Sequence, residues 1–99
     1  MKETLKYRKN KLIRIHVLVS GKVQGVFFRD NALKKARKEN LTGWVRNLNN
    51  GKVEIEAEGD RESLERFVQF LWKGPVNAQV ENVSSKEIPL KEDDAFVVK

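Results

Sequence analysis

The stretch Ile13-Arg14-Ile15-His16-Val17-Leu18-Val19-Ser20-Gly21-Lys22-Val23-Gln24-Gly25-Val26-Phe27-Phe28-Arg29 decides how the chain is read. Ile13, Ile15, Val17 and Val19 alternate with Arg14, His16 and Leu18, so residues 13–19 form a strand with one apolar face. Gly21 and Gly25 leave the backbone free to curl over residues 20–28. Beyond the loop, Ala32, Leu33 and Ala36 share one side of a helix, and Lys34, Lys35 and Lys38 the other. That helix is expected from Arg29 to about Asn40, a residue suited to a left-handed stop. Strand, glycine-bearing loop, helix start and arginine together make an anion cradle. Loop N–H groups point inward, the helix's positive end adds partial charge, and the guanidinium fork fits phosphate.

The pattern continues outward from this unit. Residues 43–48 read as a short second strand, and Asn49-Asn50-Gly51 as a tight hairpin whose primed turn needs positive φ. Residues 52–58 form a third strand, with Val53, Ile55 and Ala57 facing the core and Glu54, Glu56 and Glu58 on a solvated face. Gly59 is expected to break it. Asp60 reads as a helix N-cap, followed by the buried stripe Leu64, Phe67, Val68 and Leu71, and Gly74-Pro75 ends that helix. Residues 78–88 form a fourth strand whose apolar parity changes near Glu81-Asn82, the mark of a bulge. A short last strand over residues 95–98 is expected on an edge.

The order βαββαβ, with one apolar stripe per helix and one apolar face per strand, implies an α+β two-layer sandwich. Both helices would cover one face of an antiparallel sheet, the ferredoxin-like plan. Right-handed crossovers would make the first and third strands central, parallel neighbours. Trp44 and Trp72 read as packing residues, Phe27 and Phe28 as wedges holding the loop against the core, and Arg46 as a surface charge.

The 99 residues suit one domain over residues 13–99, preceded by a basic, flexible tail over residues 1–12. The tail carries Lys2, Lys6, Arg8, Lys9 and Lys11 against Glu3, a local +4 of the formal +6. Only +2 remains for the domain, which weakens a nucleic-acid reading. The hydrophobic fraction is 39%, with no membrane-length apolar run and no cysteine. Cytoplasmic residence is the expectation, without disulfides or thiolate chemistry.

His16 is the one histidine and sits on the strand face opposite the Ile/Val set, where a polar surface role suits it best. No second histidine and no cysteine exist to complete a zinc or copper set, so no metal or other cofactor is expected. Glu54, Glu56 and Glu58 could in principle hold a hard cation, but a solvated face is the better reading. Neither G-x-x-x-x-G-K-[ST] nor G-x-G-x-x-G fits.

Two runs carry a stronger signal: Gly21 to Arg29 as G-x-V-Q-G-V-x-F-R, and Gly43-Trp44-Val45-Arg46-Asn47. With Asn50-Gly51, Val53-Glu54, Glu58-Gly59-Asp60 and Gly74-Pro75, they resemble the acylphosphatase family over about residues 13–98. The resemblance implies the same fold and hydrolysis of acyl phosphates without a cofactor. By motif position it implies a phosphate loop of Lys22, Val23, Gln24, Gly25, Val26, Phe27, Phe28 and Arg29, acting mainly through main-chain N–H groups. Arg29 would hold phosphoryl oxygens and Asn47 would orient the attacking water. Phe27 or Phe28 could touch the acyl group. Inorganic phosphate would be both product and competitive inhibitor. A monomer is the prior expectation for a chain of this size. Many members carry threonine where this chain has Ala32 and Leu48. Two other readings stand beside this one. The first is a phosphate- or carbamoyl-phosphate-binding module without turnover. The second is a ferredoxin-like nucleic-acid domain, which the glutamates of the third strand disfavour.

Overall fold

A computed structural model describes residues 11–99. The alternation seen at residues 13–19 forms strand β1 (Leu12–Lys22), which starts one residue earlier and runs on through Gly21. Helix α1 (Phe28–Lys38), β2 (Thr42–Asn47), β3 (Val53–Asp60), α2 (Arg61–Lys73), β4 (Gln79–Ile88) and β5 (Phe96–Val98) follow. The tail expected over residues 1–12 lies outside the described residues up to residue 10, and Leu12 already belongs to β1.

The sheet order is β4-β1-β3-β2-β5, with β1 and β3 central as expected. They run antiparallel, however, and not parallel. A crossover returns the chain in the direction of the strand it left, so β1 and β2 share a direction. The hairpin then reverses β3, which inserts between them. The sheet is also mixed, because β5 pairs in parallel with β2, Val45 facing Val98. The bulge falls where the parity change put it. Ser20 faces Asn82 and Gly21 faces Val80, which leaves Glu81 as the extra residue.

Val17, Val19, Val45, Val53, Ile55 and Ala57 are fully buried on the helix side of the sheet. Ala32 and Ala36 of α1 and Phe67 and Leu71 of α2 close the core from above, with Val68 partly buried beside them. Asp60 caps α2 by accepting from the Ser63 N–H at 2.8 Å. Gly59 does not break β3, which runs to Asp60. Its missing side chain instead makes room for Leu41, which an added Cβ would strike. The hairpin differs too. Only Gly51 takes positive φ, Gly51 N–H bonds to the Leu48 carbonyl, and Asn50 Oδ1 accepts from Lys52 N–H. This is a three-residue loop built on an ordinary turn with glycine in the left-handed position.

The second face of the sheet departs most from expectation. Glu56 and Glu58 are buried, not solvated, because Arg14 lies fully buried between them. Its Nε donates to Glu56 at 2.9 Å, one Nη to Glu58 at 3.0 Å and the other to Asp93 at 3.0 Å. Residues 89–95 join β4 on one edge to β5 on the other, and so pass over this face as a strap. The Lys91 and Glu92 N–H groups both donate to Glu58, and Lys91 Nζ reaches Glu56. Burial works to raise the Glu58 carboxyl, but the Lys91 N–H and the Arg14 guanidinium outweigh it and leave its pKa lowered. Trp72 is half exposed and not a core residue. Trp44 lies partly covered beneath Lys99 and Arg46, whose cationic groups stand 4.4 and 5.2 Å from its ring.

Candidate active site

The loop after β1 is pinned at both ends. An added Cβ at Gly21 (φ 120°) would meet the Gln79 carbonyl, so glycine lets β1 and β4 close up just before the loop. Val23 and Val26 then turn into the core, while Gly25 and Phe27 both take left-handed φ, 74° and 64°. This reversal starts α1 at Phe28 without a side-chain cap. Asn31 holds the turn: its backbone N–H (3.0 Å) and its Nδ2 (2.8 Å) both donate to the Phe27 carbonyl. The backbone N–H groups of residues 24–30 find no hydrogen-bond partner among the described residues. They remain as a curved set of donors at the positive end of a helix.

Gln24 fastens this loop to the hairpin, its Nε2 donating to the carbonyls of Leu48 (2.8 Å) and Lys52 (2.9 Å). Asn47, the last residue of β2, thereby stands beside the loop. Its Oδ1 is buried without a hydrogen-bond partner. Such an atom carries a desolvation cost unless a ligand or water completes it.

Loop, helix start and strand end enclose a cavity of about 380 Å³, lined by Val23, Gln24, Gly25, Phe27, Phe28, Arg29, Asp30, Asn47 and Val98. The fold therefore brings Arg29 and Asn47 to the lining of one cavity. Arg29 is exposed and forms no ion pair among the described residues. Lys22 and Val26 do not line the cavity. Lys22 is exposed and paired with Gln79 in the sheet, and Val26 points into the core. Phe28 is buried, as a wedge should be, but Phe27 is 75% exposed. Asp30, Val98 and the bridging role of the Gln24 side chain were missed. Asp30 pairs with Lys34 one turn on, at 3.2 Å. Only the parallel pairing of β5, a long-range contact, brings Val98 here.

The other titratable groups gather elsewhere. His16 Nε2 lies 2.7 Å from Glu54 on the face away from the helices, and Glu54 also receives Arg46 Nε at 2.7 Å. Burial works to raise the Glu54 carboxyl, while His16 and Arg46 draw it down, and the net pKa is lowered. A larger groove of about 540 Å³ runs between α2 and β4. It contains neither the free N–H set nor Arg29, so the smaller cavity is the chemically equipped one.

The class defined by these features is a ferredoxin-like α+β domain with a run of unpaired backbone N–H groups at its first strand–helix junction. The family model "Acylphosphatase" matches residues 15–98, and the chain belongs to the acylphosphatase family, a family of hydrolases. An acylphosphatase of Coxiella burnetii is 51% identical over 85 residues, which cover 86% of this chain and 90% of that protein. A solved acylphosphatase structure from Coxiella burnetii superposes with a TM-score of 0.88 at 49% identity, over 93% of this chain and 96% of that one. The acylphosphatase structure from Bacillus subtilis gives 0.86 at 35% identity, over 88% of this chain and 98% of that one. Among the described residues, no helix is long and apolar enough to cross a membrane.

Proposed function

We propose that this chain hydrolyses the carboxyl–phosphate anhydride of acyl phosphates by in-line attack of a water that Asn47 orients. One observation carries the reading: Asn47, whose buried carboxamide oxygen has no partner, lines the same cavity as Arg29 and the loop residues whose backbone N–H groups are unpaired. The phosphoryl group rests in the loop from Val23 to Arg29. The N–H groups of Gln24 to Phe28 hold its oxygens without rearranging, since folding has already aimed them. Arg29 adds a planar two-point grip.

An acyl phosphate leaves as a stable carboxylate, so little acid assistance is needed. Phosphoryl transfer asks the protein mainly for position and charge stabilisation. The Asn47 carboxamide accepts from water through its oxygen and donates through its nitrogen, and so aims the lone pair at phosphorus. As the new O–P bond forms, the P–O bond to the acyl group breaks and the carboxylate leaves with the electron pair. The proton of the water passes to a phosphate oxygen. Inorganic phosphate is thus product and competitive inhibitor. We assign the protein to the cytoplasm as a monomer.

The test is loss of benzoyl phosphate absorbance on adding the purified chain, repeated with inorganic phosphate. Saturable turnover with competitive phosphate inhibition is expected. Phosphate binding without substrate loss would leave only a binding module.

A further inference from the structure

Phe27 is an expensive residue to place where it is. A non-glycine residue with positive φ is uncommon, and a bulky one more so. Here it adopts φ 64° and ψ 23°, and its carbonyl is fixed by two hydrogen bonds from Asn31. Core packing does not explain it, because Phe28 is the ring that fills the core while Phe27 stays 75% exposed. Phe27 nevertheless lines the cavity that holds Arg29 and Asn47.

In-line attack sets a direction. The leaving carboxylate must lie on the side of phosphorus opposite the water. Asn47 ends β2, and Val98 of β5 stands on that same sheet-edge wall. Phe27 stands where the loop meets α1, away from the sheet edge in the fold. An acyl group directed away from the sheet edge toward that junction would meet its ring.

Building on the function proposed above, we propose that Phe27 is the acyl-selecting residue. Its ring forms an apolar platform that favours acyl phosphates with an aromatic or branched acyl body over acetyl or carbamoyl phosphate. Contact between a flat apolar group and an exposed ring gives selectivity of the size a hydrophobic pocket gives.

The experiment compares kcat/KM for benzoyl and acetyl phosphate in the wild type, Phe27→Asn, Phe27→Leu and Val98→Ser. Asparagine tolerates the left-handed backbone and removes the ring; leucine keeps an apolar surface. The benzoyl-to-acetyl ratio should fall about tenfold in Phe27→Asn and less in Phe27→Leu, mostly through KM for benzoyl phosphate, and should hold in Val98→Ser. An unchanged ratio in Phe27→Asn, or an equal fall in Val98→Ser, would overturn the platform while leaving the hydrolase reading intact. Turnover of neither substrate by the wild type would overturn the hydrolase reading itself, and the platform with it.

Discussion

Gln24 donates its side-chain amide to the carbonyl of Leu48 at 2.8 Å, which ties the loop after β1 to the residue that follows Asn47. A second bond to Lys52 at 2.9 Å spans the base of the hairpin. One side chain thus ties the loop that carries the N–H donors to the strand end that carries Asn47. Replacing it with glutamate would put a carboxylate against two carbonyls. We expect Gln24→Glu to lower kcat by roughly ten- to a hundredfold, with a smaller change in the phosphate inhibition constant. Steady-state kinetics on benzoyl phosphate with phosphate competition would show this, and full activity would remove the bridge from the account.

Arg29→Ala is expected to cost about 3 kcal/mol of transition-state stabilisation, on the order of a hundredfold in kcat/KM, and to raise the phosphate inhibition constant. Arg29→Lys should recover little of it, since an ammonium cannot reproduce the fork. Because the side chain is exposed and forms no ion pair among the described residues, urea midpoints should match the wild type.

Asn47→Ala should separate activity from stability. Its Oδ1 is buried without a partner, so truncation removes a desolvated polar group. We expect kcat to fall on the order of a hundredfold while phosphate affinity holds and thermal stability stays level or rises by ~1 kcal/mol. A large drop in melting temperature would show that the carboxamide serves the fold.

Acid should loosen the strap before it affects the chemistry. The Glu58 pKa is lowered despite burial, and Glu56 is lowered too, with Lys91 and Arg14 overcoming its burial. Carboxylates whose native pKa lies below the unfolded value, about 4.3, stabilise the fold above that value. The contribution is lost as pH falls through the native pKa. Urea midpoints should be flat from about pH 8 to 5 and decline below about pH 4, and Glu58→Gln should blunt that decline. The proposed reaction uses no protein acid or base, so the rate should vary little between about pH 5 and 8.

What the sequence made legible is what local spacing encodes. Alternation gave the core faces of β1 and β3, the period of 3.6 gave the α2 stripe, and Asp60 announced its own cap. The Gly21–Arg29 loop and Asn47 could be paired because both motifs are long. Burial of Glu56 and Glu58 was hidden because their partner Arg14 lies more than forty residues away, and the strap that covers them lies more than thirty residues away in the other direction. Alternation reports which residues share a face, not what will cover it. The outward turn of Phe27 was hidden for a different reason. Two adjacent phenylalanines look alike in sequence, and only the left-handed backbone at the first sends one ring out and the other in.

The arrival of β5 beside β2 has a further consequence. Without those three residues β2 would be the sheet's border, offering unpaired N–H and C=O groups to any neighbouring chain. The border is closed by a short segment whose approach is secured by carboxylates. A protein kept below about pH 4 would therefore lose its guard against strand-to-strand aggregation at the same edge that carries Asn47.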